Sequence, residues 1–279
     1  IKLLENIYLN WVPEKRIIKT NLWSSELSKL SANAILAQRI SSINSISEIC
    51  ESTGADIVEV TKAIGSDSRI GLKFLNAGPG FGGSCFKKDI LNLVYLCRYY
   101  GMDKVADYWE QVIEINLWQQ KRIYKIIVER LFGTVSGKKV AILGFSFKAN
   151  TNDTRNSPAI EITKNLLEEG ATVTIHDPKV EKRQIEIDLG LEEMKKYPES
   201  EISSYEIEGS WQGINNLDEA FFDSYAVLIT TEWEDYKNID WHYVAKQMRR
   251  PAWIFDARIC LDRTYLEAIG FNVWTLGYE

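Results

Sequence analysis

The sequence predicts an α/β chain: a helical central region followed by a doubly wound parallel sheet. Two stretches and one loop carry that prediction. Between residues 21 and 132 apolar side chains recur at helical spacing almost without a break. From residue 137 onward, short apolar runs alternate with helical patterns, as parallel strands joined by helices do. Within the helical part lies a glycine-rich loop that ends in a cysteine, Gly78-Pro-Gly-Phe-Gly-Gly-Ser-Cys85.

Residues 1–20 read as the tail end of another unit. Ile7 to Trp11 is apolar, Pro13 interrupts it, and Arg16 to Thr20 has the composition of a strand. Ser24 or Ser25 can cap a helix starting at Glu26. In it Leu27, Leu30, Ala34, Ala37 and Ile40 keep one face apolar, as far as about Cys50. Gly54 and Asp56 punctuate, and a shorter helix runs from Asp56 to Ile64. A helix from about Cys85 to Tyr99 follows the glycine loop. Another covers Lys104 to Phe132, with Val105, Trp109, Val112, Ile113, Leu117, Ile123 and Ile127 apolar. So much apolar surface on long helices predicts a bundle and a subunit interface over residues 21–132.

Residues 133–279 form the second unit. Lys138 to Phe145 reads as a strand, Pro158 to Glu169 as a helix, and Thr172 to His176 as the next strand. Residues 179–215 carry many charges and little periodicity, which predicts a surface insertion. Further strands are expected at Ala226–Thr230, Ala252–Asp256 and Asn272–Leu276. Helical patterns near Leu217–Phe222, Trp241–Met248 and Thr264–Ile269 separate them.

Composition narrows the function. The chain has 279 residues, 45% hydrophobic and 26% charged, so it is neither disordered nor fibrous. Its net charge of -6 offers no basic stripe for a nucleic acid. No apolar run approaches the ~18 residues of a membrane span, and no secretory segment opens the chain. The first residue is Ile, so the chain reads as a processed product or a piece. Four scattered cysteines and two unpaired histidines give no metal-ligand spacing. They predict free thiols in a reducing, cytoplasmic setting.

The chemistry-bearing residues begin with Cys85. It lies where an apolar helix starts, beside Lys87 and Lys88, and the helix dipole and the ammonium groups favour a reactive thiolate. Asp89 is one turn on and can share its face. A nucleophile, a carboxylate and a backbone-lined pocket are the parts of a covalent catalytic site. Cys50, Cys97 and Cys260 sit in apolar runs and read as packing thiols. Lys29 and Asn33, four apart on the first long helix, fit a solvated face as well as a site. Gly144-Phe-Ser-Phe-Lys148 follows a strand, where doubly wound sheets bind ligands. It is not a G-x-G-x-x-G and reads as a nucleotide or phosphate site with free backbone N–H groups and Lys148 as a point charge. Gly133 to Lys138 lacks the spacing of a Walker A loop. Arg258 ends a strand and is placed for a ligand. Asp153-Thr-Arg155 reads first as a helix cap, Arg69 as a surface charge and His176 as structural. The nine tryptophans read as core and interface filling.

Taken together, Ser24-Ser-Glu-Leu-Ser-Lys-Leu-Ser-Ala-Asn33, Gly80-Phe-Gly-Gly-Ser-Cys85, Gly144-Phe-Ser-Phe-Lys148 and Asn152-Asp-Thr-Arg155 resemble the UDP-glucose 6-dehydrogenase family, animal-type in particular. The resemblance runs from Ile1 to Glu279 in the same order. It implies NAD-dependent oxidation of the C6 alcohol of UDP-glucose to UDP-glucuronate, through a thiohemiacetal and a thioester on Cys85. It implies that Lys29 and Asn33 hold the C6 oxygen and that Asp89 orients Lys29 or the hydrolytic water. Leu30, Leu75, Asn76, Ala77, Gly78, Pro79, Gly80, Phe81 and Gly82 would wrap the sugar and diphosphate. Phe147 and Lys148 would grip the UDP moiety and Arg258 the sugar. Arg69 would reach a neighbouring subunit's site, while Arg155, Lys88 and Cys85 would face NAD. Self-association through the central helices, as a dimer or a hexamer built from it, is implied too.

The family opens with a dinucleotide-binding domain carrying G-x-G-x-x-G, which is not found in this chain. The resemblance therefore implies the carboxy-terminal portion of such an enzyme, with residues 1–20 a remnant of the NAD domain. Ala149 and Asn150 stand where charged residues are expected after Lys148. Related chemistry on GDP-mannose or a UDP-N-acetyl-hexosamine is the alternative within the enzyme class. A non-catalytic UDP-sugar-binding or assembly module is the alternative outside it.

Overall fold

The computed structural model describes residues 2–193 and 209–279. A short helix, α1 (Lys2–Tyr8), and a 3-10 turn at Glu14–Arg16 lead into the long helix α2 (Leu22–Thr53). The strand expected at Arg16 to Thr20 does not form. With no neighbouring edge to complete its hydrogen bonds, that segment stays irregular. Helix α2 starts at Leu22 rather than Glu26 because Asn21, not Ser24 or Ser25, is the cap. The Asn21 side chain accepts a hydrogen bond from the Ser24 amide at 2.8 Å. Gly54 closes α2 in the left-handed conformation at φ 74°.

Helices α3 (Ile57–Gly65), α4 (Phe86–Tyr99) and α5 (Asp103–Arg130) complete the helical region. Asp56 caps α3 by accepting from the Val58 amide at 2.7 Å. Helices α2, α4 and α5 enclose Ala34, Ala37, Ile90, Leu93, Val94, Val112 and Ile113, all buried. Phe81 of the glycine loop plugs into the same cluster, so bundle packing fixes the loop from within.

The second region follows as β1 (Lys139–Leu143), α6 (Pro158–Glu168), β2 (Thr172–His176), α7 (Lys182–Leu189), β3 (Ser210–Gly213), α8 (Leu217–Phe221), β4 (Ala226–Ile229), α9 (Glu234–Lys237), α10 (Trp241–Gln247), β5 (Trp253–Asp256), α11 (Arg263–Ala268) and β6 (Asn272–Thr275). The six strands are parallel and ordered β3-β2-β1-β4-β5-β6. Both faces are covered, which is why β1 and β4 read as nearly unbroken apolar runs. Val140, Ile142, Val173, Ile175 and Phe255 on one face pack with α6 and with Ile43, Cys50, Ile57, Ile123 and Ile127 of the helical region. One continuous core therefore joins bundle and sheet. Ala141, Leu143, Val227, Ile229 and Ile254 on the other face meet Phe221, Trp241, Val244 and Leu266.

The stretch 179–215 is not a plain insertion. It contributes α7 and the edge strand β3, although residues 194–208 of it lie outside the described residues. Helix α7 buries only Ile185 and Leu189, one turn apart, too little to show as periodicity. Among the described residues strand β3 has a single neighbour, and its Ser210 and Gln212 are only partly buried, so it lacks the apolar run of the inner strands. His176 is structural as expected: its Nδ1 lies 3.1 Å from the Tyr236 hydroxyl, and burial lowers its pKa. Among the described residues no helix is long and apolar enough to cross a membrane.

Candidate active site

Strands β1 and β4 are neighbours, and the chain leaves them toward opposite edges of the sheet. A doubly wound sheet opens a crevice at such a switch point, beyond the strand C-termini. The loop after β1 begins at Gly144, with φ 97°. A Cβ there would lie 2.3 Å from the Thr231 Cβ, so the two rim loops meet in a space only glycine allows. Thr230 and Thr231 donate their hydroxyls to the Gly144 and Ser146 carbonyls, each at 2.6 Å.

The amides of Gly144 to Phe147 are not the free donors expected there. Gly144 N–H donates to the His176 carbonyl at 2.8 Å and Phe147 N–H to the Asp153 carbonyl at 3.0 Å. Phe145 and Ser146 N–H donate to one oxygen of Asp177 at 2.7 and 3.0 Å. Asp177, just beyond β2, therefore occupies the place of a bound anion. These bonds hold the turn after β1 in one conformation as far as Phe147. The Lys148 ammonium sits 5.4 Å from the centre of the Phe147 ring.

Arg258 follows β5 and spans the rim. Its guanidinium donates to the Thr230 carbonyl at 2.7 Å and the Phe147 carbonyl at 3.2 Å, and pairs with Glu232 at 3.1 Å. The buried Asp256 carboxylate receives the amides of Arg258, Cys260 and Leu261 and so shapes this turn. Burial, then the adjacent Asp256 carboxylate, push the Cys260 thiol up, so Cys260 is no nucleophile.

The glycine loop faces this rim across a cleft of ≈ 420 Å³. Asn76, Gly78, Gly80, Phe81, Gly82, Phe147, Lys148 and Arg258 all line it. A Cβ on Gly82 would come within 2.7 Å of the Phe147 Cβ, and one on Gly78 would reach Arg258 Nη1 at 3.4 Å. Leu30, Leu75, Ala77 and Pro79 are buried. The amides of Gly78 and Phe81 are already taken, by Asn44 Oδ1 at 2.9 Å and Asn116 Oδ1 at 2.7 Å. Those of Asn76, Ala77, Gly80 and Gly82 make no hydrogen bond among the described residues. A second cleft of ≈ 460 Å³, between α3 and the Arg258 turn, shares Asn76, Glu232 and Arg258 with the first.

At the loop's end Cys85 is exposed and caps α4 without a side-chain hydrogen bond. The Asp89 amide donates to its carbonyl at 2.9 Å, so the two residues stand one turn apart. Asp89 is 2% exposed, and one of its oxygens accepts from both Lys29 Nζ and Asn33 Nδ2 of α2. Burial alone raises the Asp89 carboxyl. Hydrogen bonds from Lys29 and Asn33, with the charges of Lys29 and Lys88, outweigh burial and hold it below the usual carboxylate range. The structure thus brings Lys29, Asn33 and Asp89 together beside Cys85.

A carboxylate held below its unfolded value stabilises the fold above pH ~4 and loses that contribution as the pH falls through its folded pKa. Asp89→Asn should lower the urea midpoint at neutral pH, and the two curves should converge below about pH 4. A constant gap between them down to about pH 3 would remove Asp89 as the source.

Two expected site residues are held by acidic neighbours. Arg69 is exposed on a turn after α3, its guanidinium folded back on Asp67 at 2.6 Å. The Arg155 guanidinium pairs with Asp153 at 2.7 Å, and its carbonyl accepts from Gly83 N–H of the glycine loop at 2.7 Å. Asn44, Asn116, Gln119 and Asp177 were not expected. The first three were hidden as polar residues on long helices, where a solvated face is the ordinary reading. Among the described residues no group of three or more His, Cys, Asp and Glu could hold a metal ion.

Known proteins match this arrangement. Residues 23–118 match the central domain of the UDP-glucose/GDP-mannose dehydrogenase family, and residues 141–263 match that family's UDP binding domain. UDP-glucose 6-dehydrogenase 4 of Arabidopsis thaliana is 50% identical over 286 residues, covering 99% of this chain and 58% of that protein. UDP-glucose 6-dehydrogenase of Drosophila melanogaster is also 50% identical, over 277 residues, covering 99% and 57%. The chain thus spans less than two thirds of these relatives' length. A UDP-glucose dehydrogenase of Pyrobaculum islandicum superposes with TM-score 0.75 at 26% identity, covering 97% of this chain and 56% of that one. With two successive domain matches and half its residues shared with these relatives, the chain belongs to the UDP-glucose/GDP-mannose dehydrogenase family.

Proposed function

We propose that the full-length gene product is an NAD-dependent UDP-glucose 6-dehydrogenase, and that this chain supplies its thiol and most of its sugar-nucleotide contacts. One juxtaposition supports this reading above the rest. Cys85 lies one turn before Asp89, whose carboxylate gathers Lys29 and Asn33, at the end of the loop that faces Phe147, Lys148 and Arg258.

UDP-glucose would lie in that cleft with its diphosphate among the unbonded loop amides and Lys148, its charge balanced by Arg258. Its C6 would reach Cys85. The described residues offer NAD an edge rather than a whole site. The amides of Gly144 to Phe147 in the turn after β1 are taken and leave none for a pyrophosphate there, whereas the side chains of Cys85, Lys88 and Arg155 are exposed. When bound, NAD takes up electron pairs as hydride.

The chain's own residues do the remaining work. Lys29 and Asn33 hold the C6 oxygen as its charge develops, and Lys29 moves its proton. An aldehyde has no second hydride to yield until a nucleophile adds. Cys85 Sγ supplies that bond, giving a thiohemiacetal whose oxidation leaves a thioester. Water then cleaves the C–S bond, so the carboxylate leaves with one oxygen from water and the thiol is restored. Asp89 fixes the position of Lys29 throughout.

Self-association through the central helices, as a dimer or a hexamer built from dimers, would bring Arg69 to a neighbour's cleft. An exposed thiol fits the reducing cytoplasm. The test is turnover by the full-length gene product with UDP-glucose and NAD, which should give two NADH per UDP-glucuronate. A polypeptide of residues 1–279 alone should bind UDP-glucose weakly and yield no steady NADH. Oxidation of GDP-mannose or a UDP-N-acetyl-hexosamine in preference to UDP-glucose would overturn the substrate assignment.

A further inference from the structure

The glycine loop is held from beneath by carboxamides. Asn116 of α5 pairs with the Phe81 backbone in both directions: Phe81 N–H donates to Asn116 Oδ1 at 2.7 Å, and Asn116 Nδ2 donates to the Phe81 carbonyl at 3.1 Å. Gly78 is held the same way by two residues. Its N–H donates to Asn44 Oδ1 at 2.9 Å, and its carbonyl accepts from Gln119 Nε2 at 3.0 Å. Gln119 Oε1 in turn accepts from Arg122 at 3.2 Å, and Arg122 is paired with Glu51. Glu51 accepts the Gly277 amide at 2.7 Å, just beyond β6. A polar chain thus runs from the loop to the sheet.

Buried carboxamides are destabilising where a polar atom goes unpaired; Asn116 and Gln119 are paired at both ends, whereas Asn44 Nδ2 has no partner among the described residues. Asn116 is 5% exposed, Gln119 and Asn44 0%. Asn116 also explains a sequence feature. A Cβ on Gly80, whose φ is 128°, would lie 2.7 Å from Asn116 Oδ1, so the carboxamide's seat requires glycine at that position.

We propose that Asn116 is a positioning residue for the substrate loop, setting the path of Gly78–Phe81 and through it the approach of Cys85 to the cleft. This rests on reading the loop as the sugar-nucleotide loop. The side chain touches no substrate; it acts by supplying a paired donor and acceptor that mimic a strand edge.

Asn116→Asp tests this, because the change is isosteric and its defect titrates. When ionised, the introduced carboxylate still accepts from Phe81 N–H but sets oxygen against the Phe81 carbonyl. When protonated, the introduced carboxyl donates to that carbonyl and restores the pair. Lys87 of α4 and Glu161 of α6 are the charged groups lining the cavity behind the loop with Asn116. Both are present in the wild type, which is measured at the same pH values and so controls for them.

In the full-length gene product, Asn116→Asp should bind UDP-glucose about tenfold or more weakly at pH ~8 and approach wild type at pH ~5.5. Amide exchange in the 78–85 peptide, corrected for intrinsic rate, should follow the same pH course without ligand. A defect equal at both pH values, or none at either, overturns the proposal. Should Asn116→Asp fail to fold, Asn116→Ala takes its place. It adjoins the ≈ 210 Å³ cavity behind the loop, which water can enter. It should speed loop exchange and weaken UDP-glucose binding while exchange in the sheet stays at the wild-type rate; unchanged loop exchange overturns the proposal. If wild type does not bind UDP-glucose yet loop exchange follows the expected course, the substrate reading fails and the clamp stands.

Discussion

Cys85→Ser should abolish carboxylate formation while leaving the fold and substrate binding intact. The Cys85 side chain is exposed and makes no capping hydrogen bond to α4; its Sγ shares a long hydrogen bond of 3.6 Å with Ser84 Oγ. Exchanging sulfur for oxygen there removes no buried contact, so stability should change by less than about 0.5 kcal/mol. The chemical loss is of another order. A serine hydroxyl is a weak nucleophile unless a general base activates it. The nearby carboxylate, Asp89, is already committed to Lys29 and Asn33. Removing a nucleophile from a covalent mechanism lowers kcat by about 10³-fold or more. Affinity for UDP-glucose should stay within about threefold, since the thiol contributes little to ground-state binding. NADH release, product mass and calorimetric titration on the full-length gene product check the three parts. Wild-type turnover in Cys85→Ser would end the covalent reading. A parallel loss of affinity would make Cys85 a binding residue.

Much of this site could be read before the fold was known, for a definite reason. Cys85 and Asp89 share one helix, and so do Lys29 and Asn33, so four-residue spacing shows each pair. Which pair meets which was not visible from spacing. Lys29 and Asp89 are joined only by the packing of α2 against α4, and it was family resemblance that linked them. The main strands and long helices were legible because each buries a wide apolar face. Helix α7 and strand β3 were not, because among the described residues one buries two side chains and the other has one neighbour. Polar residues that act on backbone stayed hidden altogether. Asn116 within a helix and Asp177 beyond a strand look like surface residues until the segments they hold are folded against them.

Asp177 makes this point measurable. It stands just beyond β2, and its carboxylate receives six donors. One oxygen accepts from Phe145 N–H, Ser146 N–H, Ser146 Oγ and Trp233 Nε1 at 2.7 to 3.2 Å. The other accepts from Lys179 and Val180 N–H at 2.9 and 3.1 Å. Phe145 and Ser146 are 0% and 1% exposed, so water cannot replace the lost acceptor without opening the rim. Asp177→Ala should therefore destabilise the protein by about 3 kcal/mol or more, since buried donors lose a charged partner. The same change frees the turn that carries Phe147 and Lys148, so UDP-glucose affinity should fall as well. Asp177→Asn keeps one acceptor oxygen and puts an NH2 against the remaining donors. Its stability should lie between wild type and the alanine variant. Urea unfolding with an unchanged m-value measures the first effect and calorimetric titration the second. If Asp177→Ala unfolds within about 1 kcal/mol of wild type, the rim is not held by this carboxylate. The loop amides would then be available to a ligand after all, and UDP-glucose should bind the variant at least as tightly as the wild type.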